Sequence, residues 1–271
     1  RPDALALSSS RGPATDGRIK PDIVAVGTNV YSTTDANGPN TYNSKTGTSM
    51  SCPGVTGSLA VLMEAYKDLN GGAEAHGTFL KGAIMNTADD LGNPGPDYRF
   101  GYGRINVRKA YEVLESGTYA NSNVADGDSV LMNFAVPANT TKLKLMLIWT
   151  DPEGSVNSAR NLVNDLDLTA SIDGNTFQPW VLDPTPNSAN LNSNAVRGRD
   201  SLNNVEQITI DNPSGDTLSV MVKGFNVPVG ANQEFYVIAY YEKDELISVP
   251  LRDNAKLEAF KSKVLQNTLV K

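Results

Sequence analysis

The chain has 271 residues and a formal net charge of −7, a length that suffices for two domains. Its hydrophobic fraction of 39% and charged fraction of 20% are typical of a globular protein rather than a disordered one. The acidic balance without a dense Lys/Arg run argues against a nucleic-acid partner. No apolar stretch approaches the roughly 20 residues of a membrane helix, which argues against a membrane partner.

Residues 1–117 show the pattern of alternating strands and helices. The apolar run DIVAVG at residues 22–27 closes with glycine and predicts a buried parallel strand. Apolar residues at helical spacing predict three helices, which span residues 51–69, 78–88 and 106–117. The first 117 residues are therefore predicted to be an α/β segment with a partial parallel sheet.

From residue 118 the apolar residues alternate with a period of two, which predicts β-strands. The predicted strands lie at residues 129–136, 142–149, 165–172, 206–210, 218–222 and 234–241. Turn residues such as Asp173-Gly174 separate them. This pattern predicts an all-β domain over residues 118–244, an antiparallel sandwich or jelly roll. Residues 245–271 are either a helix that docks on this domain or a linker to further domains.

The stretch YNSKTGTSMSCPGVTG, residues 42–57, places Ser49 at the start of a predicted helix. A serine nucleophile needs a base and donors for an oxyanion, and the free N–H groups and positive dipole of a helix start favour negative charge. Gly47 would let the backbone come close to a substrate carbonyl. The other interpretation is that Thr48 or Ser49 simply caps the helix, because Ser and Thr are preferred N-caps.

The segment GTSMSCPGVTG resembles the nucleophile motif of the subtilisin-like serine proteases, Gly-Thr-Ser-Met-Ala-x-Pro-His-Val-Ala-Gly. The matching positions are Gly47, Thr48, Ser49, Met50, Pro53, Val55 and Gly57. The flanking segments 8–27, 81–90 and 101–111 resemble the family in order and spacing, so the resemblance covers about residues 1–116. Three positions depart from the family pattern, namely Val26, Ser51 and Gly54.

The resemblance implies that Ser49 is the catalytic nucleophile of an endopeptidase that acts on proteins or peptides. It also implies that the Ser49 backbone N–H is an oxyanion donor, that Thr48 and Gly47 form the oxyanion and substrate-binding surroundings, and that the chemistry requires no cofactor. In this family the catalytic Asp, the catalytic His and an oxyanion Asn precede the serine, and all three would lie upstream of residue 1.

The single histidine, His76, follows Ser49 in a polar loop, and we interpret it as a solvated residue rather than a base. We interpret Asp22 as the start of a strand, and Asp89 and Asp90 as residues that cap the end of a helix region, rather than as catalytic residues. We therefore expect the C-terminal portion of a secreted subtilisin-like endopeptidase, inactive without its N-terminal half. That half would belong to the same precursor or bind as a separate chain, and it would cover an otherwise open sheet edge.

Residues 149–152, 161–175 and 203–210 resemble the β-sandwich appended to a subgroup of bacterial subtilases. Asp165 and Asp167 lie two apart on a predicted strand, so their carboxylates share one face. With Asp151 they could furnish oxygen ligands for a structural calcium ion. Solvated or backbone-capping aspartates are the alternative.

A rival to the enzyme is a non-catalytic binding or scaffold fragment whose β-sandwich recognises a protein or a glycan. The acidic composition with a lone cysteine, Cys52, favours a secreted or extracellular bacterial protein of either kind. We interpret Cys52 as a small buried helix residue rather than a reactive thiol.

Overall fold

The computed structural model describes residues 4–35 and 38–243, so the predicted tail at 245–271 lies outside the described residues. The helices are α1 (Thr48–Leu69), α2 (Gly77–Asn86), α3 (Val107–Ser116) and α4 (Ser188–Leu191). The strands are β1 (Val30–Thr34), β2 (Thr41–Lys45), β3 (Tyr119–Val124), β4 (Ser129–Ala135), β5 (Thr140–Trp149), β6 (Asp165–Ile172), β7 (Asn175–Phe177), β8 (Trp180–Val181), β9 (Val196–Arg197), β10 (Val205–Asp211), β11 (Thr217–Asn226) and β12 (Gln233–Lys243).

The prediction that residues 22–27 form a buried parallel strand of a sheet is wrong. This segment is extended but makes only one parallel bridge, from Val24 to Arg104. Val24 donates its N–H to the Gly103 carbonyl at 2.9 Å and accepts from Ile105 at 3.0 Å. All these bonds go to one neighbouring segment, and Val26 is 70% exposed. A buried strand needs a ladder on both edges, and apart from these bonds the segment makes, within the described residues, only a single backbone hydrogen bond to another segment, from the Gly47 N–H to the Gly27 carbonyl at 2.8 Å.

The three predicted helices are present. The first begins at Thr48, three residues before the predicted start, while α2 and α3 lie within two residues of the predicted bounds. Helix α3 ends at Gly117, whose φ of 65° is the left-handed conformation that glycine adopts most easily. None of the described helices is both long and apolar enough to cross a membrane.

Each strand predicted after residue 118 is present, and alternation did not single out four further strands, β3, β7, β8 and β9. Eight of these strands form two antiparallel sheets, ordered β10-β5-β12-β3 and β4-β11-β6-β7. The two sheets pack face to face over one apolar core, in which Leu145 and Phe235 meet Leu168 and Val220. Neither sheet closes into a barrel in the described residues. The Asp173-Gly174 loop between β6 and β7 has positive φ at both residues, as a tight hairpin requires.

Helix α2 packs on the outer face of the first sheet. Phe79, Ala83 and Ile84 of the helix share a second apolar core with Ile148 and Ile238 of the sheet. A buried polar contact accompanies it, because the Asn86 amide nitrogen donates to the carbonyls of Lys144 and Ile238, each at 3.0 Å. The segment before residue 118 is thus joined to the sheets by a continuous core.

Candidate active site

Ser49 lies in the first turn of α1 with its side chain exposed to solvent. Its hydroxyl has no hydrogen-bond partner among the described residues. The N-cap residue of α1 is Gly47, and no side-chain hydrogen bond caps the helix. The interpretation of Thr48 or Ser49 as the N-cap is therefore wrong, because both residues lie inside the helix.

The turn before Ser49 depends on glycine. Gly47 has φ 158° and ψ 166°, a combination that essentially only glycine adopts. Its carbonyl accepts from the Met50 N–H at 3.0 Å, which starts the helix. The N–H groups of Thr48 and Ser49 have no acceptor in the described chain. Two unused donors therefore lie beside the Ser49 hydroxyl, at the positive end of a 22-residue helix.

Helix α1 is covered on one side only. Its inward face carries Leu62, which is 1% exposed, and half-buried residues that pack on the same core. On the outward face an added Cβ at Gly54 or Gly57 would meet nothing within 4 Å, and Val61 is 58% exposed. Cys52 is exposed as well, so the interpretation of it as a buried helix residue is wrong in this structure.

His76 is exposed, as expected, and it also caps α2. Its Nδ1 accepts a hydrogen bond from the Thr78 N–H at 3.4 Å, and its ring stacks on Tyr236 at 5.5 Å. Tyr236 belongs to an aromatic cluster that holds Tyr66, which lies 17 residues after Ser49 on α1. At 1.5 Å per residue that is about 25 Å along the helix. His76 is thus tied to the far end of α1.

Asp22 and Asp89 are engaged in ion pairs, and Asp90 accepts the Gly95 N–H at 2.9 Å. Asp89 meets Arg104 at 3.2 Å and Lys109 at 3.0 Å. Burial raises the pKa of Asp89, but hydrogen bonds from Asn106 and Lys109 outweigh it and leave the pKa below its ordinary value. Asp22 lies 2.7 Å from the Lys20 ammonium. These contacts agree with the structural interpretation of the aspartates.

The three aspartates that were predicted to bind calcium do not form a group that could hold a metal ion, nor does any other cluster of acidic, His or Cys side chains in the described residues. Asp151 accepts the backbone N–H groups of Val163 and Asn164, both at 2.8 Å. Asp165 and Asp167 share a face, as predicted, but Arg199 lies 2.6 and 2.8 Å from their oxygens. The calcium prediction assumed that a bound cation offsets the repulsion between these two carboxylates. In this structure the Arg199 guanidinium lies between them and helps to offset it.

Glu206 is a buried acid that sequence reasoning missed. The residue is 1% exposed on β10, in phase with the core residues Ile208 and Ile210. One carboxyl oxygen accepts the Leu168 N–H at 2.7 Å and the other has no partner. Burial raises the pKa of Glu206 well above its ordinary value, and the nearby charge of Asp200 adds to it. An acid at a core position of an alternating strand is the signal that could have found it.

Comparison with known proteins gives a family for the first part of the chain. Residues 2–103 match the model of the subtilase family, peptidase S8. The chain is 27% identical to the serine protease/ABC transporter B family protein tagD of Dictyostelium discoideum, over 88% of this chain and 17% of that protein. It is 38% identical to the minor extracellular protease Vpr of Bacillus subtilis, over 44% of this chain and 15% of Vpr.

The PII-type proteinase of Lactococcus lactis subsp. cremoris is 35% identical over 42% of this chain and 7% of the proteinase. The chain thus spans less than a fifth of the length of these relatives. The residues that the family model matches include Ser49 and the whole of α1. The chain therefore carries, over residues 2–103, a segment of the subtilisin-like serine protease family.

Proposed function

We propose that Ser49 is the nucleophile of a secreted serine endopeptidase and that this chain is the C-terminal portion of that enzyme. One observation carries the proposal: an unpaired hydroxyl and unpaired backbone N–H groups lie together at the positive end of α1. This is the arrangement that acyl transfer requires of a nucleophile and its oxyanion donors. The family match adds the reaction class, cleavage of peptide bonds.

In the proposed reaction the Ser49 Oγ attacks the substrate carbonyl carbon while a histidine takes its proton. The oxygen of the resulting tetrahedral intermediate accepts a hydrogen bond from the Ser49 N–H, with Thr48 and Gly47 shaping the surrounding backbone. The amine then leaves with the proton from the histidine, and water hydrolyses the acyl-enzyme. The protein or peptide substrate and water are the only reactants, so the chemistry needs no cofactor.

The base must come from outside the described residues, because the single histidine is tied to the far end of α1. We propose that the N-terminal half of the catalytic domain supplies this histidine, the aspartate that orients it and the oxyanion asparagine. The same half would cover the outward face of α1 and the open edge of the extended segment 22–27. Without it the chain should be inactive, since loss of triad members leaves only binding and oxyanion effects.

Secretion is part of the same proposal. Its support is the relationship to Vpr, which is named an extracellular protease, together with the acidic, thiol-poor composition.

The proposal is tested by peptide hydrolysis with the protein extended by its N-terminal part. Ser49→Ala should reduce the rate at least 1000-fold, which is the order of a lost nucleophile. Ser58→Ala makes the same chemical change on the same helix, where the hydroxyl only donates to the Gly54 carbonyl, and it should leave the rate within about twofold. Full activity of Ser49→Ala would contradict the proposal and favour the binding or scaffold alternative.

A further inference from the structure

The backbone passes very close to the Ser49 turn at Gly27. The Gly27 carbonyl accepts the Gly47 N–H at 2.8 Å, two residues before the proposed nucleophile. This bond joins the end of the extended segment 22–27 to the residue that caps α1. The position of the cap is therefore fixed from a part of the chain that lies 20 residues earlier in sequence.

A second hydrogen bond joins the same two segments. The Asn29 N–H donates to the Thr46 hydroxyl at 2.9 Å, and Asn29 itself has a φ of 53°. Residue 27 is thus hydrogen-bonded to residue 47, and residue 29 is hydrogen-bonded to residue 46. Two hydrogen bonds two residues apart fix both the position and the orientation of the peptide that leads into Ser49.

The approach at Gly27 leaves no room for a side chain. A Cβ there would lie 2.6 Å from the Gly47 carbonyl oxygen and 3.2 Å from the Ser51 Cβ. The first contact is with backbone, which cannot rotate away as a long side chain can. The Gly47 carbonyl also accepts from Met50, so a shift of this carbonyl moves the first turn of α1 and Ser49 with it.

We propose that Gly27 is a positioning residue for the Ser49 nucleophile, with the Asn29–Thr46 hydrogen bond as a second support. This inference rests on the proposed function, because it concerns how well Ser49 is placed for attack. Gly27 touches neither substrate nor the reacting atoms. It acts through Gly47, whose peptide sets where the first turn of α1, and Ser49 with it, lies relative to the rest of the chain.

The test uses the protein extended by its N-terminal part. Gly27→Ala should lower kcat and the rate of Ser49 labelling by a fluorophosphonate about 10- to 100-fold, because a small misplacement of a reacting group has effects of this size. KM should change less than about threefold, since no substrate contact is removed. Gly77→Ala is the matched control, because a Cβ at Gly77 meets nothing within 4 Å, and its rates should equal those of the parent.

Two variants at Thr46 test the inference even if Gly27→Ala does not fold. Thr46→Val removes the acceptor of the Asn29 N–H and should slow labelling, whereas Thr46→Ser retains the hydroxyl and should restore the parental rate. Equal rates for these two variants, or parental kcat in a folded Gly27→Ala, would overturn the inference. A parent protein that is not labelled at Ser49 would instead overturn the proposed function.

Discussion

At the scale of single residues, the buried acid Glu206 should make the stability of the two sheets depend on pH. Its neighbouring charges Asp200, Asp167 and Asp165 are all acidic, and one of its oxygens is buried without a partner. In the unfolded chain this carboxyl loses its proton near its ordinary pKa of 4.5, whereas in the folded chain it keeps the proton to much higher pH. The stabilisation from the neutral form is complete below pH 4.5 and is lost as pH rises towards the folded pKa.

Glu206→Gln should therefore raise the free energy of unfolding at about pH 8 and leave it nearly unchanged at about pH 4, because glutamine stays neutral and can still accept the Leu168 N–H. Urea unfolding of the chain at the two pH values measures this difference. Glu234→Gln on β12 replaces an exposed glutamate and should change neither value. A stability gain that is the same at both pH values would show that the pKa of Glu206 is not raised in the folded chain.

Arg199 is the second residue on which this region depends. Arg199→Ala removes the ion pair of Asp167 and leaves Asp165 with Arg160 at 3.1 Å, while the two aspartates have side-chain exposures of only 20% and 5%. We expect a loss of about 3 kcal/mol in the free energy of unfolding, the order found when one partner of a buried ion pair is removed. Adding Asp167→Asn should recover part of that loss, and a loss below about 0.5 kcal/mol would contradict the assignment.

Calcium gives an independent check on Arg199. Because Arg199 and Arg160 together offset the charges of both carboxylates, added calcium should not change the urea midpoint of the parent chain. A midpoint that rises with calcium would show that Asp165 and Asp167 accept the cation in spite of Arg199.

For single residues, the sequence predicted some features of the structure and missed others. The motif around Ser49 singled out the residue only through its resemblance to a family motif, because a serine at a helix start is equally typical of an N-cap. Its role as the nucleophile stays a prediction. The environment of Asp165 and Asp167 could not be predicted, since Arg199 lies 32 residues beyond Asp167 and only sheet packing brings it there. Glu206 was missed because alternation was used to find apolar core positions, and an acid at such a position was not considered.

Among the elements, α2 has the tightest contact with the sheets. A Cβ at Gly82 would lie 2.5 Å from the Ile238 Cδ1 and 2.7 Å from the Ile148 Cγ2. Gly82→Ala should therefore push the helix from the sheet and lower the free energy of unfolding by about 1–3 kcal/mol, the usual range for overpacking. Gly77→Ala in the same helix has open space and should be neutral or slightly stabilising. Equal urea midpoints for the two variants would contradict this packing.

Element prediction worked where a pattern reflects one-sided burial and failed where it depends on a neighbour. The strands after residue 118 alternate because one face of each lies in the core between the sheets, and β5 and β12 are also covered on their other face by α2. Residues 22–27 are as apolar as a buried strand, yet a ladder needs a second edge that the described residues do not provide. The β1–β2 hairpin was missed because its residues, including the stacked pair Tyr31 and Tyr42, are mostly exposed and follow no core pattern.

For the molecule as a whole, the outward face of α1 is the feature that the proposed function must explain. Cys52 is the single cysteine of the chain and lies exposed on that helix, three residues after Ser49. In residues 1–271 alone its thiol should react with a maleimide nearly as fast as in the chain unfolded by urea. In the protein extended by its N-terminal part the reaction should be at least 10-fold slower, because a partner segment would exclude the reagent. Equal rates would mean that nothing covers this face.

The most direct test of the account is labelling with a fluorophosphonate followed by peptide mapping, on residues 1–271 and on the protein extended by its N-terminal part. We predict modification at Ser49 in the extended protein and none above background in residues 1–271, because the base lies outside the described chain. An extended protein that is folded but not labelled, or is labelled at a residue other than Ser49, would contradict the assignment of Ser49 as the nucleophile.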